Sequence, residues 1–277
     1  MIQEQALIAD MHTHSEHSHD SVCKLDDMCR AQIARGTKVM ALTDHFDTAS
    51  YQAYDVYTPI LKGCQEAKSC SERYRGQCEV LAGIEIGEGF WVPQVYEKVR
   101  RLYDYDVIIG SVHLVRYRQL RGAYAQIDFG KLTQEELHGY LDAYYEDIRT
   151  MLESMDIDIL AHLTNPLRYI VGKYHRKVDI SRYDEVIDRI FETILKKGIA
   201  LELNTSSLHL LGDGIPSREI LERYRTKGGT LITLGSDAHV AENASVHFEQ
   251  ALGILREAGF RELYYYRKRE PVAYPIV

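Results

Sequence analysis

The stretch KVMALTDH, residues 38–45, decides the fold, because a short apolar run stops there at an aspartate and a histidine. Six further runs of this kind recur along the chain, and each is followed by polar residues and then by a segment with helical spacing. Short apolar runs that alternate with helical segments are typical of βαβ units around a buried parallel sheet. The seven runs cover residues 6–10, 38–44, 79–85, 106–112, 157–163, 198–204 and 230–237.

The segments with helical spacing include residues 25–36, 132–155, 181–198 and 216–229. No linker rich in Pro, Gly or Ser divides the 277 residues, and a single α/β barrel has about this length. We therefore expect one domain, residues 1–277, built as a TIM-like (β/α)7 barrel. A weaker run at 261–268 could be an eighth strand, an edge strand or a C-terminal cover.

Composition excludes several classes of function. No apolar run approaches the roughly 20 residues of a membrane-spanning helix, and the net charge of −8 disfavours nucleic acid as a partner. The N-terminus lacks the features of a secretory signal, so we expect a cytoplasmic protein whose five cysteines are reduced thiols.

Metal-binding side chains recur where the predicted strands end. In a βα barrel the carboxyl ends of the strands and the loops after them form one mouth, where catalytic groups lie. Any one of these residues could be a solvated loop residue or a helix cap, but that interpretation does not predict recurrence in phase with the strands. The strand ends carry His12, His14, Asp44, His45, Glu85, His113, His162, Asn204, Asp237 and His239.

Imidazoles and carboxylates are ligands for zinc, manganese or iron(II), whereas softer ions select thiolates. His12 and His14 are two residues apart, so an extended strand points both to the same face. The candidates exceed the three or four ligands that one ion needs. We therefore predict a cluster of divalent ions that share a bridging carboxylate, with Glu85 as the best candidate for the bridge.

The ordered motifs DMHTH, LTDH, GIEIG, GSVH, AHL, LELNTS and LGSDAH resemble those of the PHP (polymerase and histidinol phosphatase) family. The match runs from about residue 8 to residue 240. The blocks GIEIGEG, IIGSVH, ELNTSSL, PSREIL and ITLGSDAH are most similar to the histidinol-phosphate phosphatases within that family.

This resemblance implies a distorted (β/α)7 barrel with two or three divalent ions of zinc, manganese or iron. The first ion would be held by His12, His14, Glu85 and Asp237, and the second by Glu85, His113 and His162. The third would be held by His45, His239 and one residue of the loop after His14. Asp20 is the expected loop ligand, and His17 and His19 compete with it.

The implied activity is hydrolysis of L-histidinol phosphate to histidinol and phosphate, a step of histidine biosynthesis. A metal-bridging hydroxide would attack phosphorus in line, and Asp237 or His239 would protonate the leaving group. Arg168 is placed as a phosphate-binding arginine would be, although it could also be a surface residue.

Two departures from the family pattern concern the substrate. His209 stands where an arginine is usual, with Ser207 in place of glycine, and the loop after His113 contains Arg116, Arg118 and Arg121. We therefore expect His209 and Arg116 to join Arg168 as substrate-binding residues, with Arg118 and Arg121 as further candidates.

The sequence leaves two alternatives to this activity open. The same chemistry could act on another small phosphoester, such as a nucleotide, a sugar phosphate or phosphotyrosine. A non-enzymatic metal-binding module is a second alternative, which the presence of a candidate ligand at every expected position disfavours. The sequence does not indicate an oligomeric state.

Overall fold

Seven parallel strands follow one another around the central sheet in their order along the chain. The computed structural model of the chain describes residues 7–48, 51–52, 55–120 and 122–276. The strands are β1 (Ala9–Thr13), β2 (Val39–Leu42), β4 (Glu79–Gly87), β5 (Val107–Ser111), β6 (Ile159–Leu160), β7 (Ala200–Asn204) and β8 (Ile232–Gly235). A short additional strand, β3 (His45–Asp47), pairs with the end of β4.

The sheet curves until its first and last strands nearly meet. A single parallel bridge joins Thr13 to Ala238, and the amide of His14 donates to the Ala238 carbonyl at 2.9 Å. The amide of Asp237 donates to the His12 carbonyl at 2.8 Å. The predicted distorted (β/α)7 barrel is confirmed, and this closure places the ends of β1 and β8 side by side.

Helices follow the strands and cover the barrel. They are α1 (Leu25–Ala34), α2 (Tyr57–Arg73), α3 (Pro93–Arg100), α4 (Gln134–Ser154), α5 (Asp184–Lys197), α6 (Leu208–Leu211), α7 (Arg218–Thr226) and α8 (Phe248–Glu257). A capping box between Thr133 and Glu136 begins α4, and Gly198 ends α5 in the left-handed conformation. The helices expected within 25–36, 132–155, 181–198 and 216–229 are all present.

Each predicted apolar run contains or overlaps a barrel strand. Most of the strands are shorter than their runs, but β4 continues two residues beyond the run 79–85, to Gly87. The first run begins at residue 6, outside the described residues, and its strand continues to Thr13. The run 157–163 contains only the two-residue strand β6, because the chain leaves the sheet before His162. Strand β3 was not predicted, since three residues that follow β2 directly give no separate apolar run.

The weak run at 261–268 is not an eighth barrel strand. It forms β9 (Glu262–Arg267), which pairs antiparallel with β10 (Glu270–Pro275) in a separate two-stranded sheet. Lys268 and Arg269 make the turn with φ of 52° and 66°, and β9 packs against β8 and β1. A C-terminal cover, one of the alternatives for this run, is what the structure shows.

Nearly all of the buried apolar side chains among the described residues belong to one continuous core. All five cysteines are buried and none forms a disulfide bond, as expected for reduced thiols. Within the described ranges, no helix combines the length and apolarity that crossing a membrane requires.

Candidate metal centre

Glu85 lies at the centre of the site, fully buried on β4. Its Oε1 is 3.1 Å from the Nε2 atoms of both His113 and His162. Its Oε2 is 3.1 Å from His12 Nε2 and 3.5 Å from His14 Nε2. Oε2 also lies 2.9 Å from His45 Nδ1. The two oxygens of one carboxylate therefore face two different sets of imidazoles, which is the arrangement that a bridging ligand needs.

Asp237 is the second carboxylate of the cluster. Its Oδ1 lies 3.3 Å from His14 Nε2 and 3.8 Å from His12 Nε2, and the same oxygen is 3.6 Å from His239 Nδ1. His12, His14 and Asp237 thus present one donor atom each within a span that a single ion could occupy. Closure of the barrel between β1 and β8 brings these residues together.

His45 and His239 form the outer part of the cluster with Asp20. Asp20 Oδ2 is 3.2 Å from His239 Nε2 and 3.6 Å from His45 Nε2. His17 instead bonds to Glu66 on α2 at 2.8 Å. His19 Nε2 lies 3.8 Å from Asp47. Of the three competing loop residues, Asp20 is therefore the one whose carboxylate contacts both His45 and His239.

Outer partners fix the orientation of the imidazoles. The Nδ1 of His12 bonds to Glu202 at 2.6 Å, and that of His113 bonds to Asp47 at 2.9 Å. The Nδ1 of His239 bonds to a main-chain carbonyl at 2.9 Å, and a carbonyl can only accept, so this nitrogen carries the proton. A neutral imidazole protonated at Nδ1 has a free lone pair on Nε2, the form in which histidine binds a metal ion.

Several buried nitrogens have no hydrogen-bond partner among the described residues. They include Nε2 of His14, Nδ1 of His45 and Nδ1 of His162. His14 Nε2 and His45 Nδ1 both lie close to carboxylate oxygens, but the angles do not suit a hydrogen bond. Since unpartnered buried polar atoms are costly, the donor set fits divalent metal ions.

The charges of the cluster also suit a cation. Burial alone would raise the pKa of Glu85, but the imidazoles of His12 and His45 outweigh burial and hold that pKa well below its usual range. Burial and the neighbouring imidazoles of His239 and His45 hold the pKa of His14 well below its usual value. Burial lowers the pKa values of His12, His45 and His113, but the charge of Glu85 outweighs burial and raises them well above the usual value. These imidazoles therefore hold protons that a divalent cation would displace.

Two candidate ligands have left-handed backbones. His162 has a φ of 25° and Asp237 a φ of 53°, a region that residues other than glycine seldom adopt. Such conformations cost energy and concentrate at functional sites. Here they occur where the chain leaves β6 and β8, beside the cluster.

Two glycines make room for the outer partners. A Cβ on Gly87 would overlap the Asp47 carboxylate that holds His113, and a Cβ on Gly235 would overlap the Glu202 carboxylate that holds His12. The Gly235 Cβ would also lie 2.7 Å from the His12 Cβ. These positions therefore require glycine for close approach.

Gly235→Ala is expected to lower the free energy of unfolding by about 1–3 kcal/mol, because the added methyl group overpacks the buried pair. Chemical denaturation measures this change. Gly253→Ala is the matched control: nothing lies within 4 Å of a Cβ there, in the middle of α8. That control should gain about 0.5–1 kcal/mol from helix propensity, and equal stability of the two variants would contradict the account.

Glu202 and Asp47 were not predicted from the sequence, because we looked for metal-binding side chains mainly at the ends of the strands. Glu202 is buried in the middle of the apolar strand β7, where an acid is unusual. Asp47 lies two residues after His45, on the same face of β3. These two signals could have identified both residues as partners of the histidines.

Glu202→Gln is expected to weaken metal affinity by about 10–100-fold, because the carboxylate orients His12 and increases its basicity. The Oε2 of Glu202 also accepts from the amide of His162 at 2.7 Å. Competition with a chromogenic chelator measures the affinity. Glu249→Gln, an exposed acid on α8, is the matched control, and an unaltered affinity for Glu202→Gln would contradict this role.

Two further buried acids near the cluster, Asp10 on β1 and the predicted strand-end residue Asp44, support the backbone. Asp10 accepts from the amide of Ser236 at 3.0 Å and from Gln32 at 2.6 Å. Asp44 accepts from the amide of Ser15 at 2.6 Å and from its hydroxyl at 2.9 Å. Both carboxylates therefore shape the loops around the cluster, and neither faces the imidazoles.

A cavity of about 530 Å³ opens beside the cluster. Arg168, on the π-helical turn Arg168–Lys173, and His209, on α6, line it together with Asp20, Asp237 and His239. Arg168 donates to the hydroxyl of Ser206 at 3.2 Å. The structure thus brings two of the three predicted substrate-binding residues to the same cavity.

Arg116 is not brought there. Its guanidinium lies over the ring of Trp91, 3.8 Å from the ring centroid. The loop after His113 folds as a short hairpin, and Arg118 pairs with Glu135 on α4 at 3.3 Å. Arg121 lies outside the described residues, and no described residue of this loop lines the cavity.

Comparison with known proteins agrees with this architecture. The family model of the PHP domain matches residues 10–206. The chain is 24% identical to a probable histidinol-phosphatase of Clostridium acetobutylicum, over 95% of this chain and 98% of that protein. It is 26% identical to a probable histidinol-phosphatase of Thermotoga maritima, over 92% of this chain and 94% of that protein.

The fold has a clear counterpart among solved structures. The histidinol phosphate phosphatase of Lactococcus lactis, solved with zinc, L-histidinol and phosphate, superposes with a TM-score of 0.74. The likeness covers 96% of this chain and 98% of that protein at 20% sequence identity. At 20% identity this likeness establishes the shared fold alone.

Proposed function

Because this chain belongs to the PHP domain family, we propose that it is a metal-dependent phosphatase that hydrolyses L-histidinol phosphate to histidinol and phosphate. The observation that carries the proposal is the convergence of imidazoles on both oxygens of Glu85, beside a cavity that contains Arg168. The relatives named histidinol-phosphatases, which align over nearly the whole chain, support this class of substrate.

The structure supports the following assignment of ligands to ions. The first ion would be held by His12, His14, Asp237 and Glu85 Oε2, and the second by His113, His162 and Glu85 Oε1. The third would be held by His45, His239 and Asp20. Bound divalent ions would act as Lewis acids that neutralise phosphoryl charge and make water nucleophilic near neutral pH.

Residues of the chain itself would position the substrate and transfer the proton. The guanidinium of Arg168 can bind two phosphoryl oxygens at once. The leaving alkoxide needs a proton. We assign its donation to Asp237 or His239, which both line the cavity and would first accept that proton from the attacking water.

Arg168→Ala is expected to lower kcat/KM for a phosphomonoester by about 10–100-fold, because a charged phosphate contact is lost. Steady-state kinetics measure this effect. Arg116→Ala removes a guanidinium that lies over Trp91, outside the cavity, and should change kcat/KM by less than about threefold. Equal effects of the two substitutions would contradict the assignment of Arg168.

A substrate panel tests the proposed function. We expect kcat/KM for L-histidinol phosphate to exceed that for p-nitrophenyl phosphate by at least about tenfold, since a specific site recognises the leaving group. If L-histidinol phosphate is hydrolysed no faster than this aryl ester, the assignment fails. A preference for a nucleotide, a sugar phosphate or phosphotyrosine would favour the alternative of the same chemistry on another phosphoester.

A further inference from the structure

The cavity beside the cluster has a second side formed by two histidines that are not among the proposed metal ligands. His209 on α6 and His247 at the start of α8 both line it. Their ring centroids are 6.2 Å apart and their planes are 17° from parallel. They lie in segments that follow β7 and β8, and we call this pair the imidazole wall.

The rings of the imidazole wall are available to a ligand. Within the described ranges, neither ring has a hydrogen-bond partner, whereas His12, His113 and His239 each bond through Nδ1 to an outer partner. The ring nitrogens and faces of the wall are therefore free to contact a molecule in the cavity.

The backbone at His247 is held in an unusual conformation. Its φ is 62°, in the left-handed region, and its carbonyl accepts from the amide of Ala251 at 2.9 Å. The preceding carbonyl, of Val246, accepts from the hydroxyl of Thr205 on the β7 side at 2.8 Å. Strained backbone that neighbouring contacts maintain is typical of ligand sites, and here it fixes the segment that carries the ring.

The chemistry of this side of the cavity favours a planar polar ring. Tyr169 lines the same cavity and extends its aromatic surface. The only carboxylates among the described residues that line it belong to Asp20 and Asp237, which are proposed metal ligands. The wall therefore offers faces for stacking and nitrogens for hydrogen bonds, but no acid of its own for an ammonium group.

We propose that the imidazole wall binds a planar nitrogen-containing ring on the alcohol part of the phosphomonoester, while Arg168 and the cluster bind the phosphoryl group. This inference rests on the proposed function and makes His209 and His247 determinants of specificity. It also gives a role in substrate recognition to His209, which stands where an arginine is usual in the histidinol-phosphate phosphatases.

The test compares a substrate that carries a ring with one that does not. The ratio of kcat/KM for L-histidinol phosphate to kcat/KM for glycerol 3-phosphate is measured for His209→Ala, His247→Ala and the corresponding phenylalanine variants. We expect each alanine variant to lower the ratio by about tenfold, mainly through KM, because stacking is lost. The phenylalanine variants keep a planar ring and should retain most of the ratio.

Gln250→Ala, an exposed position on α8, is the matched control for altered surface near His247. Thermal melting shows which variants fold. If an alanine variant does not fold, the phenylalanine variants still decide the test. An unchanged ratio in folded alanine variants would overturn the inference, and so would phenylalanine variants that lose as much as the alanine variants.

The two proposals can fail separately. If the wild type prefers another ring-bearing phosphomonoester, such as a nucleoside monophosphate, the proposed function fails, and the ratio is measured with that substrate instead. A tenfold fall in that ratio would still support the imidazole wall. A wild type that prefers glycerol 3-phosphate would overturn it.

Discussion

Glu85→Gln is expected to lower kcat for phosphomonoester hydrolysis by at least about a thousandfold. The substitution keeps the shape of the side chain but removes the charge that His12, His45 and His113 surround. A neutral amide offers one weak oxygen donor, so it cannot bridge two ions as a carboxylate does. Initial rates, together with metal content by mass spectrometry, measure the effect.

Glu79→Gln is the matched control, because Glu79 lies at the opposite end of the same strand and pairs with Arg267. Its loss removes a partly exposed ion pair, which contributes at most about 1 kcal/mol to stability. We expect kcat to be preserved in this variant. A Glu85→Gln protein that folds and retains more than about a tenth of the wild-type kcat would contradict the bridging role.

Removal of metal is the second change with a large expected effect. Dialysis against a chelator should abolish phosphatase activity, and addition of zinc, manganese or iron(II) should restore it, because the imidazole and carboxylate donors accept any of these ions. The melting temperature should fall as well, since an ion that binds only the folded chain stabilises it. Activity and melting curves are followed over the same titration.

This prediction has an internal control. Each added metal should restore activity and raise the melting temperature over the same range of concentration, because both effects arise from one cluster. Full activity in a protein shown by mass spectrometry to be free of metal would contradict the account.

The ends of the strands were predictable from the sequence because a parallel barrel repeats one physical pattern. Each buried strand reads as a short apolar run, and the first polar residues after it must lie at the common mouth. His12, Glu85 and Asp237 could therefore be placed together although they are far apart in the chain, and the structure brings them within reach of one another.

Other features depend on packing between segments that are distant in sequence. No local sequence pattern indicates such contacts. Glu202 contacts His12 from the middle of a neighbouring strand, and Gly235 leaves the space for that contact. Arg116 was expected at the substrate, but its loop folds back as a hairpin and places the guanidinium on Trp91. Loop conformation of this kind is set by contacts distant in sequence, so composition alone could not predict it.

Anomalous diffraction from crystals of the metal-loaded protein grown with phosphate tests the central claim most directly. We expect at least two anomalous peaks beside Glu85, each about 2.0–2.2 Å from imidazole nitrogens and carboxylate oxygens of the cluster, with phosphate between the ions and Arg168. Catalytically active crystals without anomalous density around Glu85 would contradict it.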